Sequence, residues 1–373
     1  MSVRLIDTEA CRRALALRDL TDAALGPHAM QLLVQQTLEA LEQRWACPVV
    51  IHRAPPLVSV ADNYDALGYP ANGAARDARY TRYVTAGRLL RTQTSAMIPK
   101  ALEMLALARY DDVLLACPGL TYRRDAIDRL HVAEPHQLDL WRISRQRLER
   151  AALEEMIETA AQAMLPGVRL RLDPASHPYT VGGVEVHAVL TDRAVEILEC
   201  GLAAPRLLEA AGLPPAEYSG LAMGIGLDRI LMLRKGIDDI RALRSTDPRI
   251  ASQMLDLEPY RPVSSQPAIE RDLSIAVSAA ASPEELGDRV RQAMGPRSSS
   301  LEAVVVLAET AYAKLPEAAR ARLGLSPEQK NVLLRLVIRD LERTLTSADA
   351  NMLRDEVYAV LHEGRVHSWA GRP

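Results

Sequence analysis

The chain contains no phenylalanine. Its 373 residues include 11 tyrosines and three tryptophans, so aromatic side chains make up only 4% of the sequence. A core of this size would ordinarily use phenylalanine many times, and any surface that recognises a ligand through rings has few positions to draw on. Cysteine is also scarce. Cys11, Cys47, Cys117 and Cys200 lie far apart with no Cys-x-x-Cys pair, which argues against a structural zinc site and fits reduced thiols. No apolar run reaches the roughly 18 residues that a spanning helix needs, so no membrane association is expected. The first ten residues carry Arg4, Asp7 and Glu9 and lack the apolar stretch of a secretory leader, so the expected location is cytoplasmic. The net charge of -3 excludes a globally basic nucleic-acid binder, and any such contact must come from a local patch.

What is present is ordinary for a soluble globular protein: 48% hydrophobic and 25% charged residues, over a length that allows two domains with separate cores. Residues 27–45 carry apolar positions at helical spacing after Pro27. Residues 112–119 and 137–143 read as strands on either side of a charged loop. Residues 145–165 read as an amphipathic helix, 168–172 and 183–190 as half-buried antiparallel strands, and 224–233 as a helix opening after two glycines. The segment 258–267 has three prolines and no helical period, which marks it as the linker. Beyond it the pattern runs strand, helix, strand, a polar excursion over 316–329, strand, helix. This β-α-β-β-α plan is close to a ferredoxin-like split βαβ. The expected division is therefore 1–257, linker 258–267 and 268–373.

Two segments carry candidate chemistry. The stretch from Tyr122 to Asp139 (YRRDAIDRLHVAEPHQLD) places two arginines and a histidine on a loop between apolar strands. A guanidinium can grip phosphate oxygens in a bidentate fork there, although a solvated charged hairpin has the same composition. The stretch from Gly220 to Arg241 (GLAMGIGLDRILMLRKGIDDIR) pairs Gly224 and Gly226, which let backbone approach a flat ligand, with Arg229 on an apolar helix. An arginine among Leu227, Ile230 and Leu231 either faces an anion or snorkels to solvent.

Together these segments resemble motifs 2 and 3 of class II aminoacyl-tRNA synthetases, and in detail those of the phenylalanyl type. NYDALGYPANGAARD (63–77), LLRTQTS (89–95), YRRDAIDRLH (122–131), HQLD (136–139), GLAMGIGLDR and GIDDIR follow that family's order. PAIERDLSIAV (267–277) and DLERTLTSADANML (340–353) resemble its ferredoxin-fold anticodon-binding domain. The resemblance implies an α+β fold: a class II antiparallel sheet flanked by helices, then the ferredoxin-like domain on the same chain. It implies ATP and Mg²⁺ as cofactors, an amino acid and tRNA (that for phenylalanine) as partners, and a monomer or homodimer. Arg123 would meet the α-phosphate, Arg229 the γ-phosphate end of ATP, His131 would help position the phosphates, and Glu196 would be the Mg²⁺-side carboxylate. Gln93, Ser95, Gln137 and Asp139 would face the amino acid's ammonium and carboxylate. His177 and Tyr179 would wall its side-chain pocket and Ala222 would be the floor. Arg271, Arg335, Arg339 and Arg343 would line a tRNA-contacting face. Catalysis would be positioning and charge stabilisation, since the amino acid's carboxylate is itself the nucleophile.

The sequence departs from that family's pattern at the site. His177-Pro178-Tyr179 stands where the family has Phe-Pro-Phe. Gln93 replaces a histidine, Asp139 a glutamate, Tyr64 and Met223 phenylalanines. Either phenylalanine has been removed throughout with recognition kept, or the polar atoms of His177 and Tyr179 have altered specificity toward a substituted or non-standard amino acid. Two further readings stay open: transfer of the adenylate to a carrier other than tRNA, and a non-catalytic paralogue that binds RNA.

Overall fold

A computed structural model of the chain describes residues 5–191, 193–263 and 267–367. Two compact units result. The first is Met1–Arg123, Glu134–Ile237 and Ser252–Tyr260, and the second is Arg124–Ala133, Asp238–Ala251 and Arg261–Pro373. The expected linker, 258–267, lies partly outside the described residues, at 264–266.

The first unit begins with α1 (Thr8–Leu15) and α2 (Ala29–Trp45), the latter capped by His28, whose Nδ1 accepts from the amide of Met30 at 3.1 Å. A small sheet follows from β2 (Leu57–Ser59), β3 (Tyr83–Thr85) and β4 (Arg88–Leu90), after β1 (Val49–Ile51). Helix α3 (Ile98–Ala108) has Pro99 in its first turn, where a missing N–H costs nothing. The main sheet adds β5 (Asp112–Leu120), β6 (His136–Ser144), β7 (Arg169–Pro174), β8 (Thr180–Val189), β9 (Ala194–Ala203) and β10 (Ser219–Gly226). Its order is β1-β5-β6-β10-β9-β8-β7. Only β1 runs parallel to its neighbour, β5; the rest is antiparallel. The central strands β5 and β6 are buried on both faces, which is why they read as continuous apolar runs rather than alternating ones. Helix α2 packs against α4 (Arg150–Met164). On the face that carries Trp141 and Ala222, α3 and α5 (Pro205–Ala210) supply Ile98, Leu102, Leu105, Leu207 and Leu208 to a core that also holds Cys117.

Three local expectations shift. The helix expected over 224–233 starts only at Leu227 (α6, Leu227–Lys235), after the glycine pair, because Gly224 and Gly226 pair with β6 and end strand β10. Strand β9 was not foreseen. The segment 145–149 precedes α4 instead of belonging to it.

In the second unit, β11 (Ile269–Ser278), β12 (Leu301–Ala311) and β13 (Gln329–Ile338) form an antiparallel sheet in the order β11-β13-β12. Strand β13 alternates, burying Val332, Leu334, Leu336 and Ile338 against α8 (Pro283–Met294) and α10 (Ser347–Leu361). Helix α10 opens with a reciprocal capping box between Thr346 and Asp349. The polar excursion contains a short helix, α9 (Glu317–Leu323), seated through Leu315, Leu323 and Leu325 on Ala276. The short α7 (Pro248–Ala251) belongs to this unit as well.

The loop 124–133, expected with the first domain, is packed in the second. Ile127 joins the core of that unit, and its carbonyl accepts from the amide of Val304 at 2.9 Å. Arg291 donates to the carbonyls of Asp125 and Ala126, both at 2.5 Å. Arg124 pairs with Asp288 at 3.1 Å with both side chains almost wholly buried.

Candidate active site

Cross-strand partners in an antiparallel pair point to the same face. The register places Asp139 opposite Gly224 and Cys117, Trp141 opposite Ala222, Gln137 opposite Gly226, and Glu199 opposite Gly224. Gln137, Asp139, Trp141, Glu199, Ala222 and the two glycines therefore share one face. A Cβ added at Gly224 or Gly226 would meet nothing within 4 Å, so that face is open above these two positions.

Asp139 is 2% exposed. It accepts from the hydroxyl of Thr94 at 2.7 Å, from that of Ser95 at 2.9 Å and from the indole of Trp141 at 3.3 Å. Burial raises its carboxyl despite these donors, and the nearby Glu199 adds to the rise. Gln137 accepts from the amide of Thr94 at 3.2 Å. Gln93 takes a different place: its oxygen accepts from the Tyr69 hydroxyl and its nitrogen donates to the carbonyl of Asn63, both at 3.1 Å. Asn63 in turn holds Thr92, donating to its hydroxyl at 2.9 Å.

A line of rings borders this acid. Tyr64 meets Tyr69 edge-on at 5.7 Å between centroids, Tyr69 lies 6.2 Å from Tyr179, and Tyr179 lies 6.2 Å from Trp141 and 5.6 Å from His177. Burial raises the Tyr179 phenol well above its usual range, aided by Tyr69, Asp139 and Glu199. Ala222, 1% exposed, is the cross-strand partner of Trp141.

Charged groups adjoin these rings. Arg123 follows β5 and donates to the carbonyl of Thr92 at 2.8 Å. Arg229, on α6, donates to the backbone carbonyl of Glu196 at 3.0 Å and stands 3.6 Å from its carboxylate. Burial and then the neighbouring Glu199 raise the Glu196 carboxyl. The two glutamates come together because β9 carries one extra residue: His187 pairs with Glu196 but Val186 pairs with Leu198. Simple alternation would place residues 196 and 199 on opposite faces, and the bulge brings them to one. Glu199 and His177 bond at 2.7 Å. That bond raises the His177 imidazole. Burial works to raise Glu199, but the imidazole outweighs it and the carboxyl ends below its usual value.

The structure thus brings Arg123, Gln93, Ser95, Gln137, Asp139, His177, Tyr179, Glu196, Ala222 and Arg229 into the first unit. His131 belongs to the second, where its Nδ1 lies 2.8 Å from Asp128. The four arginines assigned to a tRNA face are also in the second unit, each with partners there. Arg335 is held by Asp272 at 2.8 Å and Glu270 at 3.1 Å, and Arg339 by Glu302 at 2.8 Å. Arg271 donates to Asn351 at 2.8 Å and Ser347 at 2.7 Å. Arg343, 62% exposed at its side chain, is held only loosely, 3.6 Å from Asp340 and 3.9 Å from Asp349. Sequence reasoning missed Thr94, Asn63, Tyr69, Trp141 and Glu199. Thr94 and Asn63 sit inside the quoted segments, whereas the bulge that delivers Glu199 leaves no mark in composition. Among the described residues, no group of three or more His, Cys, Asp or Glu side chains could hold a metal ion by itself, and no helix is long and apolar enough to cross a membrane.

The chain is similar to several known proteins. A phenylalanine--tRNA ligase alpha subunit from Prochlorococcus marinus (strain NATL2A) is 32% identical over 203 residues, 54% of this chain and 59% of that protein. The corresponding subunit from Prochlorococcus marinus (strain MIT 9313) is 35% identical over 191 residues, covering 51% and 56%. That from Bacillus licheniformis is 33% identical over 216 residues, covering 54% and 62%. The chain therefore spans less than two thirds of these relatives. Among solved structures, pyrrolysyl-tRNA synthetase from Desulfitobacterium hafniense aligns with a TM-score of 0.48 at 18% identity, over 59% of this chain and 74% of that one. The profile of the family described as tRNA synthetases class II core domain (F) matches residues 34–254, more than half of the chain, and the protein belongs to that family.

Proposed function

We propose that this protein activates phenylalanine, or a close aromatic analogue, with ATP to form an aminoacyl-adenylate and transfers the aminoacyl group to tRNA. The observation that carries this reading is the buried Asp139, fixed by Thr94, Ser95 and Trp141 beside the ring line Tyr69–Tyr179–Trp141. A desolvated carboxylate next to aromatic walls suits an ammonium group attached to an aromatic side chain. Ser95 and Gln137 would meet the rest of the amino acid's polar end, while Gln93 orients Tyr69. The small Ala222 leaves the floor open to a ring.

The open space over Gly224 and Gly226 fits a flat adenine. Arg123 and Arg229 would hold the triphosphate, stabilising the charge that grows on the α-phosphate as pyrophosphate departs. Glu196, raised by burial beside Glu199, fits one end of a Mg²⁺ site completed by phosphate oxygens, since that ion commonly takes only one or two protein carboxylates. The ion would supply neutralisation of phosphate charge.

The second unit fits a ferredoxin-like tRNA-contacting domain. Its β-α-β-β-α order and its sheet order of first, third, second strand support this, and of the four arginines assigned to that face Arg343 has the longest ion-pair distances. The test is amino-acid-dependent ATP–pyrophosphate exchange with the purified chain, over phenylalanine, tyrosine, meta-tyrosine, halogenated analogues and the remaining standard amino acids. Strongest exchange with phenylalanine is expected. A preference for a hydroxylated analogue would assign His177 and Tyr179 a polar specificity, and no exchange with any amino acid would overturn the reading.

A further inference from the structure

We propose that Arg206 is a positioning residue that straps together the two segments walling the aromatic side of this site, so that it sets the separation of Tyr69 and Tyr179. The proposal rests on the reading of that side as the amino-acid pocket. Arg206 lies in the first turn of α5, directly after Pro205, and its backbone is anchored because Leu207 and Leu208 are buried in the core. One terminal nitrogen of its guanidinium donates to the carbonyl of Leu67 at 2.9 Å and to the carbonyl of Pro178 at 2.6 Å. These carbonyls belong to segments far apart in sequence. The first segment carries Asn63, Tyr64 and Tyr69, and the second carries His177 and Tyr179.

Each bonded carbonyl lies within two residues of a ring that lines the site. Tyr69 follows Leu67 after a single glycine, and Tyr179 follows Pro178 directly. The intervening Gly68 has φ +83°, and the Arg206 guanidinium occupies the space where a Cβ would be, at 1.9 to 2.6 Å from the ideal position. A side chain at 68 is therefore excluded twice, by backbone conformation and by the strap itself. The Tyr179 carbonyl accepts from the amide of Ala204 at 3.0 Å, which fixes the same segment from the α5 side. Arg206 is itself exposed, so its two bonds sit at the rim of the pocket. They are charge-assisted and add a polar tie to the Tyr69–Tyr179 ring contact between the same segments.

The experiment uses the full-length chain. Arg206→Ala is expected to raise the KM for the amino acid about tenfold in pyrophosphate exchange, the worth of one charge-assisted hydrogen bond, with the KM for ATP unchanged. Arg206→Lys is expected to recover part of the loss, since an ammonium can reach one carbonyl but lacks the planar fork. Gly68→Ala should reproduce the defect, because the added Cβ meets the guanidinium. Independently of activity, amide hydrogen exchange at Thr180 and Ala204 should accelerate in Arg206→Ala and be restored toward wild type in Arg206→Lys. Unchanged exchange at both amides overturns the strap. Accelerated exchange with an unchanged amino-acid KM, in an active enzyme, overturns its role in positioning. If the wild type activates no amino acid, the reading of the pocket fails, and the strap stands or falls on the amide exchange alone.

Discussion

Asp139 shows how a residue's chemistry is made by its surroundings. Its carboxyl is raised by burial even though three side chains donate to it. The fold therefore disfavours its ionised form relative to the unfolded chain, a cost that a bound cation would offset. The sign follows: the energetic cost of ionising Asp139 is absent below its ordinary value of 3.8 and is complete once the pH passes the raised folded value. Asp139→Asn should thus raise Tm at neutral pH, while lowering affinity for the amino acid by roughly a hundredfold, as expected on losing the charged partner of a buried ammonium. Thermal scans and exchange kinetics on the same variant test both halves. His177 and Glu199 behave in the opposite sense. The imidazole is raised above 6.5, so its contribution is full below 6.5 and is lost as pH rises through the raised value; the carboxyl is depressed below 4.5, so its contribution is full above 4.5 and is lost as pH falls through the depressed value. The pair is strongest between those limits. Tm measured against pH should fall on the alkaline side in the wild type, and His177→Gln should flatten that fall.

At the scale of elements, β10 and α6 divide the work. Strand β10 places Ala222, Gly224 and Gly226 along one face, and α6 then presents Arg229 from its first turn. Gly224→Val adds a Cβ that meets no atom within 4 Å and a residue that suits a strand. It should fold with unchanged or raised Tm yet weaken ATP binding by at least about tenfold, because the added methyls occupy the surface assigned to adenine. A calorimetric titration with ATP would show this. Arg229→Ala should cut pyrophosphate exchange by roughly a hundred- to a thousandfold, as removal of a donor to developing charge does elsewhere, with far-UV circular dichroism unchanged. The β9 bulge is the element-scale feature that alternation could not supply, since a period of two predicts opposite faces for Glu196 and Glu199 and one extra residue reverses that.

At the scale of the whole molecule, the chain is two compact units threaded through each other in sequence. The second unit takes in 124–133 and 238–251, so a cut at the expected linker would not separate cores cleanly. Arg124 and Asp288 are paired while 3% and 5% exposed. Removing one member of a buried pair costs about 3–5 kcal/mol, so Asp288→Ala should lower the urea midpoint of the second unit's transition by a corresponding amount, read with probes in α8 or α10. In place of phenylalanine, the largest fully buried side chains among the described residues are Trp141, Tyr64, Tyr122, Lys235 and Met30, followed by leucines and Ile98.

The sequence by itself determined the family resemblance, the strands that flank the charged loop, the β-α-β-β-α order of the last hundred residues and most of the polar residues of the candidate site. These were legible because each depends on local spacing: alternation in β13, the glycine pair before Arg229, the Gln137-x-Asp139 step on one strand. Only the tertiary structure decided that Ile127 leaves its neighbouring strands for another core, that Gly224 and Gly226 end a strand, that Glu199 joins Glu196, and that Arg206 reaches two distant carbonyls. Each of those outcomes depends on which distant backbone or apolar surface a residue meets, and periodicity along a chain carries no record of such meetings.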